Sequence, residues 1–427
     1  MSRPKNDIFW EEIFEKYRIL DEITEKGRYS ISSETINNFR EARLMTRFDH
    51  RSQLPKIFAA NKLTILPVSR GTYEIGTFET FHDFNTEESE TVFIDSFPAL
   101  ESINYREIIN ETTAINCIYL SKILHDFTGE GDLSPTVGGR MSSSAFGFKI
   151  NSAGKQFAVK VNNAQVEIDG GYEGDGSLNL IEAKNYISDD FLIRQLYYPY
   201  RLWNDRITKR VRPIFLTCSN GIFHLREYEF TDVELYNSIQ LVRYRRYAFY
   251  EKRAINTETI QKILDGAIIA NEPEAPFPQA DNFDRVINLC ELLWQRGFLG
   301  KEAIAQNYAF VPRQADYYAN AAKYLGLIRR AVMNGLAGFV LTNEALRIFG
   351  LPLVDRQLEF VKLILSHSVF RDALRLYFEK GDAPSKDEIF EIMQRAGLFD
   401  DYAGNTRERR AATVGAWVQW MAGLIEI

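Results

Sequence analysis

Alternation over Val166-Glu167-Ile168-Asp169, followed after a glycine-rich interval by Leu180-Ile181-Glu182-Ala183-Lys184, constrains this chain more than any other stretch. Successive strand side chains face opposite ways, so Glu182 and Lys184 share one face and Ile181 and Ala183 the other. Val166 and Ile168 likewise turn away from Asp169, and Gly170-Gly171-Tyr172-Glu173-Gly174-Asp175-Gly176 is rich in turn formers. The spacing predicts a hairpin that gathers Asp169, Glu182 and Lys184. Paired carboxylates repel unless a cation lies between them, and hard oxygen ligands suit Mg2+, with Mn2+ as a substitute. Such a centre suits attack on a phosphodiester, with the lysine orienting or deprotonating a water.

The bland reading of an Asp followed by Glu-x-Lys is a solvated hairpin edge. Three neighbouring features argue against it. An apolar run from Leu178 to Ile181 puts the charges at the end of a core strand, and Ser188-Asp189-Asp190 is good N-cap chemistry for a following helix. Upstream, a helix expected from about Tyr105 to Phe127 sets Glu111 on its apolar face between Ile108 and Ile115. A carboxylate there is costly unless paired or metal-bound.

These elements in this order resemble the PD-(D/E)XK nuclease core: the Glu111 helix, a strand from Phe146 to Ile150 continuing to Val161, Asp169, Glu182-Ala183-Lys184, a helix, and a strand from Arg212 to Cys218. The resemblance covers about residues 105 to 230. It implies an α/β (α+β) nuclease core in which Asp169 and Glu182 hold the metal, Lys184 serves the attacking water, and Glu111 supports a metal or the basic group. The family's proline before the Asp is replaced here by Ile168. Some relatives brace the site with a Gln and a Tyr four residues on; Gln195 takes the first role, but Pro199 stands at the second position and predicts a kink or break. The alternative for Gln195 is an exposed helix glutamine.

At 427 residues the chain is long enough for about three domains of roughly 150 residues. Cys117, Cys218 and Cys290 are isolated, which excludes a disulfide framework and a CxxC zinc site. No apolar run reaches membrane-spanning length and the start lacks a signal-peptide core, so no membrane association and a cytoplasmic location are expected. The net charge of −7 argues against indiscriminate coating of nucleic acid. Between residues 201 and 254, however, 11 Lys and Arg stand against 6 Asp and Glu, interleaved with aromatics in Arg243-Tyr244-Arg245-Arg246-Tyr247. That pattern is open to two readings, a basic groove or a solvated face.

Pro273, Pro276 and Pro278 mark a linker over residues 271 to 282. Beyond it, a helix from Asp284 to Arg296, a short one from Lys301 to Gln306, a third from Pro312 to Leu325 and two strands resemble a winged helix-turn-helix. The resemblance sends the third helix into the major groove, with Arg313, Gln314, Tyr317, Asn320 and Lys323 as candidate contacts. A second copy is expected to follow, with a helix from Ser385 to Arg395, one opened by Thr406-Arg407-Glu408-Arg409-Arg410, and a terminal Gly423-Leu424-Ile425 that parallels Gly326-Leu327-Ile328. Trp417 and Trp420 are expected in its core. A third such unit at the N-terminus would carry Arg70 at its wing tip, and the stretch from Phe39 to His50 resembles segments of uncharacterised type II restriction enzymes. Arg140 and Ser142, in the Gly138-to-Ser144 loop, suit a phosphate, with a flexible surface loop as the alternative.

The expected organisation is a winged-helix-like unit over 1–100, the nuclease core over 101–270, a winged helix over 281–350 and a second such unit over 351–427. The expected function is that of a type II restriction endonuclease acting on double-stranded DNA, with flanking mainly helical winged helix-turn-helix domains. Homodimerisation and a cognate DNA methyltransferase as genetic partner are implied by resemblance. Alternatives are a repair or anti-phage nuclease of the same fold, or a winged-helix regulator with an inactive nuclease-like domain.

Overall fold

Apolar side chains gather around an N-terminal unit, on the two faces of a central sheet, and within a C-terminal helical unit. The computed structural model describes residues 4–84, 89–108, 110–250, 254–301, 303–304, 312–397 and 404–426.

The N-terminal unit comprises α1 (Lys5–Lys16), α2 (Ile19–Lys26), β1 (Arg28–Ser32), α3 (Ser33–Asn37), α4 (Ala42–Met45), α5 (Lys56–Ala60), β2 (Thr64–Pro67) and β3 (Thr72–Gly76). Trp10, fully buried, meets Phe58 edge-on at 4.8 Å, and its indole N–H donates to the Met45 carbonyl at 2.9 Å. The strands form an antiparallel sheet in the order β1-β3-β2, and Arg70 is exposed in the β2–β3 turn. This unit ends near residue 76 rather than 100, because the next two strands pair elsewhere. β4 (Phe81–Asp83) joins a later strand, and β5 (Thr91–Ile94) forms one edge of the central sheet.

The central unit continues with α6 (Glu111–Leu120), α7 (Ile123–Thr128), β6 (Ser134–Ser142), β7 (Phe146–Ser152), β8 (Lys155–Val161), β9 (Gln165–Glu173), β10 (Ser177–Lys184), β11 (Asp190–Leu192), α8 (Arg194–Asn204), β12 (Arg210–Ser219), β13 (Ile222–Phe230) and β14 (Ile239–Phe249). Seven strands form one mixed sheet in the order β5-β14-β13-β12-β10-β9-β6, parallel at β10–β12 and at β14–β5. Ile181, Ala183, Ile214 and Leu216 face α6 and α7, whereas Leu178, Leu180 and Phe215 face α8 and the β7–β8 hairpin. Burial on both faces accounts for the near-continuous apolar run of β12. The strand expected from Phe146 to Val161 is instead a hairpin outside the large sheet. Ala153 and Gly154 both take positive φ, which turns the chain back in two residues.

Gly170 and Gly171, expected in the turn, lie within β9, and the turn is confined to residues 174–176. Their side-chain space is already taken: a Cβ on Gly171 would sit 2.6 Å from Val137 Cβ, and one on Gly170 3.2 Å from Ile115 Cγ2. The register of β9 against β6 also slips between Val137 and Gly139, a bulge that swaps the faces of its alternating residues. Val166 and Ile168 therefore enter the α8-side core while Tyr172 enters the other. Gly171→Ala is expected to destabilise the central unit by about 1 to 3 kcal/mol, as overpacking does. A thermal melt compared with Gly171→Ala/Val137→Ala checks this, because the second change makes room and should restore part of the loss.

The C-terminal unit contains α9 (Thr257–Asp265), α10 (Phe283–Arg296), β15 (Leu299–Gly300), α11 (Pro312–Tyr324), β16 (Ile328–Met333), β17 (Leu336–Leu341), α12 (Asn343–Phe349), α13 (Leu353–Leu365), α14 (Ser368–Lys380), α15 (Lys386–Arg395) and α16 (Gly404–Gly423). Its sheet order, β15-β17-β16, repeats the first-third-second order of the N-terminal unit. The short helix expected to reach Gln306 lies largely outside the described residues. The second strand-bearing copy expected over 351–427 is not formed: from Asn343 onward the described residues contain helices only, and Leu424–Glu426 is a 3-10 turn. Its helices instead share one core with α9 to α11, which a polar-faced independent unit would not do. The expected linker is packed as well. Phe277 stacks on Phe370 at 5.5 Å, and Trp417, fully buried, donates to the Ala280 carbonyl at 2.8 Å. Prolines forbid a helix there but not burial of Phe277 and Ala280. No helix among the described residues is long and apolar enough to cross a membrane.

Candidate active site

The β9–β10 ladder runs from Leu178 opposite Glu173 to Ile181 opposite Gly170 and then parts. At the break Asp169 Oδ2 replaces a ladder carbonyl, accepting from the Ala183 amide at 2.9 Å. Glu182 and Lys184 continue the α8-facing side of β10 beyond Leu178 and Leu180, both buried. Lys184 Nζ donates to Glu182 Oε1. Gln195 Nε2, from the first turn of α8, donates to the same oxygen at 2.7 Å. The alternative of a solvent-facing Gln195 is thus not what the geometry places there, and α8 continues through Pro199 without the expected break.

Charge is crowded at this edge. Burial holds the Glu182 carboxyl above its ordinary pKa, opposed by Lys184 and reinforced by Asp169 and Asp49. Packed neighbours raise Asp169 as well, although it stays exposed; Lys184 and the Ala183 amide counter this, while Glu111 and Glu167 add to it. Burial alone would lower the Lys184 ammonium, but Glu182, Tyr186, Asp49 and Asp169 outweigh it and hold it above its usual value. Glu111 is not mid-helix as expected. Asn110 caps α6 by accepting from the Thr113 amide, so Glu111 is the first helical residue, half-buried, and the helix breaks at Lys122, which takes positive φ.

Four further groups gather beside this edge, in contacts that sequence reasoning missed. Asp49 and His50 come from the loop between α4 and α5, and Tyr186 and Asp190 follow β10. His50, fully buried, bridges the two stretches: Nε2 lies 3.0 Å from Tyr186 Oη, and Nδ1 lies 2.7 Å from the Asp190 carbonyl and 3.1 Å from its Oδ1. Asp190 Oδ2 also accepts from the Arg51 amide at 3.1 Å. Asp190 was expected to help open a helix; these bonds engage its carboxylate in β11 instead, and α8 starts at Arg194. From the opposite side, Asn288 of α10 donates to the Asn185 carbonyl and accepts from the Ile187 amide, both at 3.2 Å, and Arg285 pairs with Asp189. Segment 185–190 is therefore gripped by both flanking units. The only sequence signal for the N-terminal half of this grip is the placing of charged Asp49 and His50 directly after an apolar Phe48.

Three families match consecutive stretches of the chain. Each is described as a domain of unknown function: DUF6996 over residues 7–75, DUF6997 over 76–248 and DUF7226 over 285–426. No curated protein and no solved structure matches the chain.

The remaining candidates are scattered. Arg140 and Ser142 lie in edge strand β6, not in a loop, because residues 134–142 pair with β9; exposed Arg140 meets Glu167 across the strands at 3.2 Å. The basic excess over 201–254 does not form a free groove. Arg201 and Arg212 are buried, Arg212 pairs with Glu227, Arg243 donates to the Phe127 carbonyl, and Arg245 pairs with Asp126. On α11 the side chains of Arg313 and Gln314 lie outside the described residues. Tyr317 Oη accepts from Arg409 at 3.2 Å, Asn320 is half-buried, and Lys323 lies 6.0 Å above the Phe339 ring. Arg407 is half-buried in α16, whereas Arg410 is buried over Phe277. Arg410 faces the shared helical core, which removes it as a DNA contact.

Proposed function

We propose that the chain is a metal-dependent, site-specific DNA endonuclease of the type II restriction kind, with a PD-(D/E)XK core between winged-helix units. The observation that carries this reading is the meeting of Asp169, Glu182, Lys184 and Gln195 at the parting of β9 and β10. Among the described residues no group of three or more His, Cys, Asp and Glu gathers as a metal site, so Mg2+, with Mn2+ as substitute, would be held by two carboxylates and the Gln195 amide oxygen. Asp169 and Glu182 are hard oxygen ligands, Asp169 adds to the charging cost of Glu182, and Gln195 Oε1 is buried with no hydrogen-bond partner among the described residues. When bound, the cation would generate a nucleophilic water and neutralise charge growing on the phosphate. Lys184, held as an ammonium, would orient that water, and Gln195 fixes the Glu182 carboxylate. Glu111 adds negative charge that opposes ionisation of Asp169.

The shared first-third-second sheet order of the two flanking units, with helices before the paired strands, supports winged-helix readers of double-stranded DNA. Exposed Arg70 at one wing tip and Arg329 and Arg330 on β16 suit phosphate contacts. A cytoplasmic homodimer acting opposite a cognate methyltransferase completes the proposal. The test is digestion of methylated and unmethylated plasmid by the full-length protein with Mg2+, followed by sequencing of the ends. Ends at one recurring sequence on unmethylated DNA are expected. Intact plasmid with Mg2+ and with Mn2+, on both substrates, would overturn the reading.

A further inference from the structure

The β16–β17 hairpin ends in an apolar tip: Val332, Met333 and Leu336 are 73%, 50% and 65% exposed. Asn334 and Gly335, both at positive φ, close it in a two-residue turn whose hand suits the strand twist. The turn fixes a register in which Met333 lies opposite Leu336 and Val332 opposite Ala337. Opposed residues share a face of the ribbon and successive ones alternate, so Met333 and Leu336 project on one face and Val332 and Ala337 on the other. An apolar patch that docks on a flat partner occupies one face, whereas apolar groups on both faces of a thin tip suit a slot between two apolar surfaces. Just behind the tip, exposed Arg329 and Arg330 also take opposite faces, and half-buried Lys323 lies over the ring of Phe339, the cross-strand neighbour of Arg330. No Asp or Glu occurs between Asp316 and Glu344, so the hairpin carries positive charge with no acid of its own. Positive charge behind a two-sided apolar wedge complements a polyanion whose interior is a stack of flat rings.

We propose that the β16–β17 tip is a wedge that enters the minor groove of double-stranded DNA and parts a base step, while Arg329 and Arg330 hold phosphates on the two walls of the groove. The inference rests on the DNA-reading role proposed above for the flanking units. Arg330 and Met333 are three residues apart, about 10 Å along a strand. The minor groove is roughly 7.5 Å deep, so arginines seated on the backbone leave the tip at the base edges. The groove is also only about 6 Å wide, narrower than a ribbon with side chains on both faces. Entry therefore has to widen it, and contact of Val332, Met333 and Leu336 with opened bases offsets that distortion. The hairpin thus reads how readily a step opens, favouring flexible pyrimidine–purine steps, without a hydrogen bond to a base.

The experiment uses full-length protein in metal-free buffer, so that no cutting interferes. Affinity for a short mixed-sequence duplex is measured by fluorescence anisotropy across a salt series. Untwisting is read as the linking-number change left in a plasmid relaxed by a metal-independent topoisomerase, at matched occupancy. Val332→Ser/Met333→Ser/Leu336→Ser should bind the duplex about tenfold more weakly with an unchanged salt slope, and should lose most of the wild-type linking-number change. Arg329→Ala/Arg330→Ala should instead lower the salt slope by about two. Should the triple variant melt early, Val332→Ser and Leu336→Ser are measured singly, with the same signs expected. A folded tip variant that binds and untwists as wild type does overturns the inference, and a shift in its sedimentation alone assigns the tip to a second copy of the chain instead. Wild-type protein that binds the duplex and leaves the linking number unchanged removes this inference alone, whereas wild-type protein that does not bind duplex DNA overturns the DNA-reading role and this inference together.

Discussion

On the proposed endonuclease reading, Lys184→Ala is expected to cut DNA on the order of a thousandfold more slowly than wild type in single turnover, with affinity for duplex DNA kept within about twofold. The ammonium donates to Glu182, and on the proposed mechanism it governs the attacking water, so its loss falls on the chemical step. Lys184→Arg is not expected to rescue, because a planar guanidinium cannot take the place of a compact, buried ammonium on Glu182. Cleavage at the wild-type rate by Lys184→Ala would remove this edge as the site. The same substitution has a stability signature in metal-free buffer. Glu182 already sits above its ordinary pKa, and without its counter-ion it rises further. Stability contributed by a carboxyl whose folded pKa is raised is present at acid pH and lost as pH rises through that value. Lys184→Ala should therefore lose more stability relative to wild type at pH 8 than at pH 5.

The largest stability effect is expected at Arg212. It is buried on β12 and forks onto Glu227 of β13, with Nε to Oε1 at 2.8 Å and Nη2 to Oε2 at 2.7 Å, while Nη1 donates to the Thr128 carbonyl at 2.8 Å. Glu227 is 1% exposed, and its other partner is Arg210 at 3.3 Å, a half-exposed side chain that offers little compensation. Arg212→Ala leaves a buried carboxylate nearly alone, at a cost of about 3 to 5 kcal/mol and a drop of roughly 10 °C in the melting of the central unit. Arg212→Met with Glu227→Leu removes both charges and should recover much of the loss. A double-mutant cycle by urea denaturation decides it: additive losses would mean that the pair is not coupled.

Local pattern made part of the site readable. Asp169, Glu182 and Lys184 lie on two adjacent strands, so period-two alternation and one short turn suffice to bring them together. The neighbouring glycines were harder, because a Gly-Gly pair serves equally well in a turn and under a close contact, and only the Val137 and Ile115 side chains distinguish the two. Asp49 and His50 were illegible for another reason. His50 meets Tyr186 and Asp190 across more than a hundred residues of chain, Asp49 precedes it in the same loop, and no periodicity spans that distance. The second winged unit was read from the likeness of Gly423-Leu424-Ile425 to Gly326-Leu327-Ile328, three residues too few to specify a hairpin once Trp417 had a place against Phe283 and Phe370. The topological likeness joins the two flanks, β1-β3-β2 and β15-β17-β16, the pair for which the sequence raised a winged-helix-like unit at either end.

Segment 185–190, gripped by His50 and Arg51 on one side and by Arg285 and Asn288 on the other, sets limits on how such a chain is diversified. A chimera that exchanges either flank for a unit of different sequence preference inherits the duty to supply matching groups at those four positions. One that fails to do so keeps every reacting residue and loses the walls around them. If the flanks read DNA as proposed, new specificities are more accessible through substitutions on their outward surfaces, such as the Arg70 turn and the β16–β17 hairpin, than through wholesale module exchange.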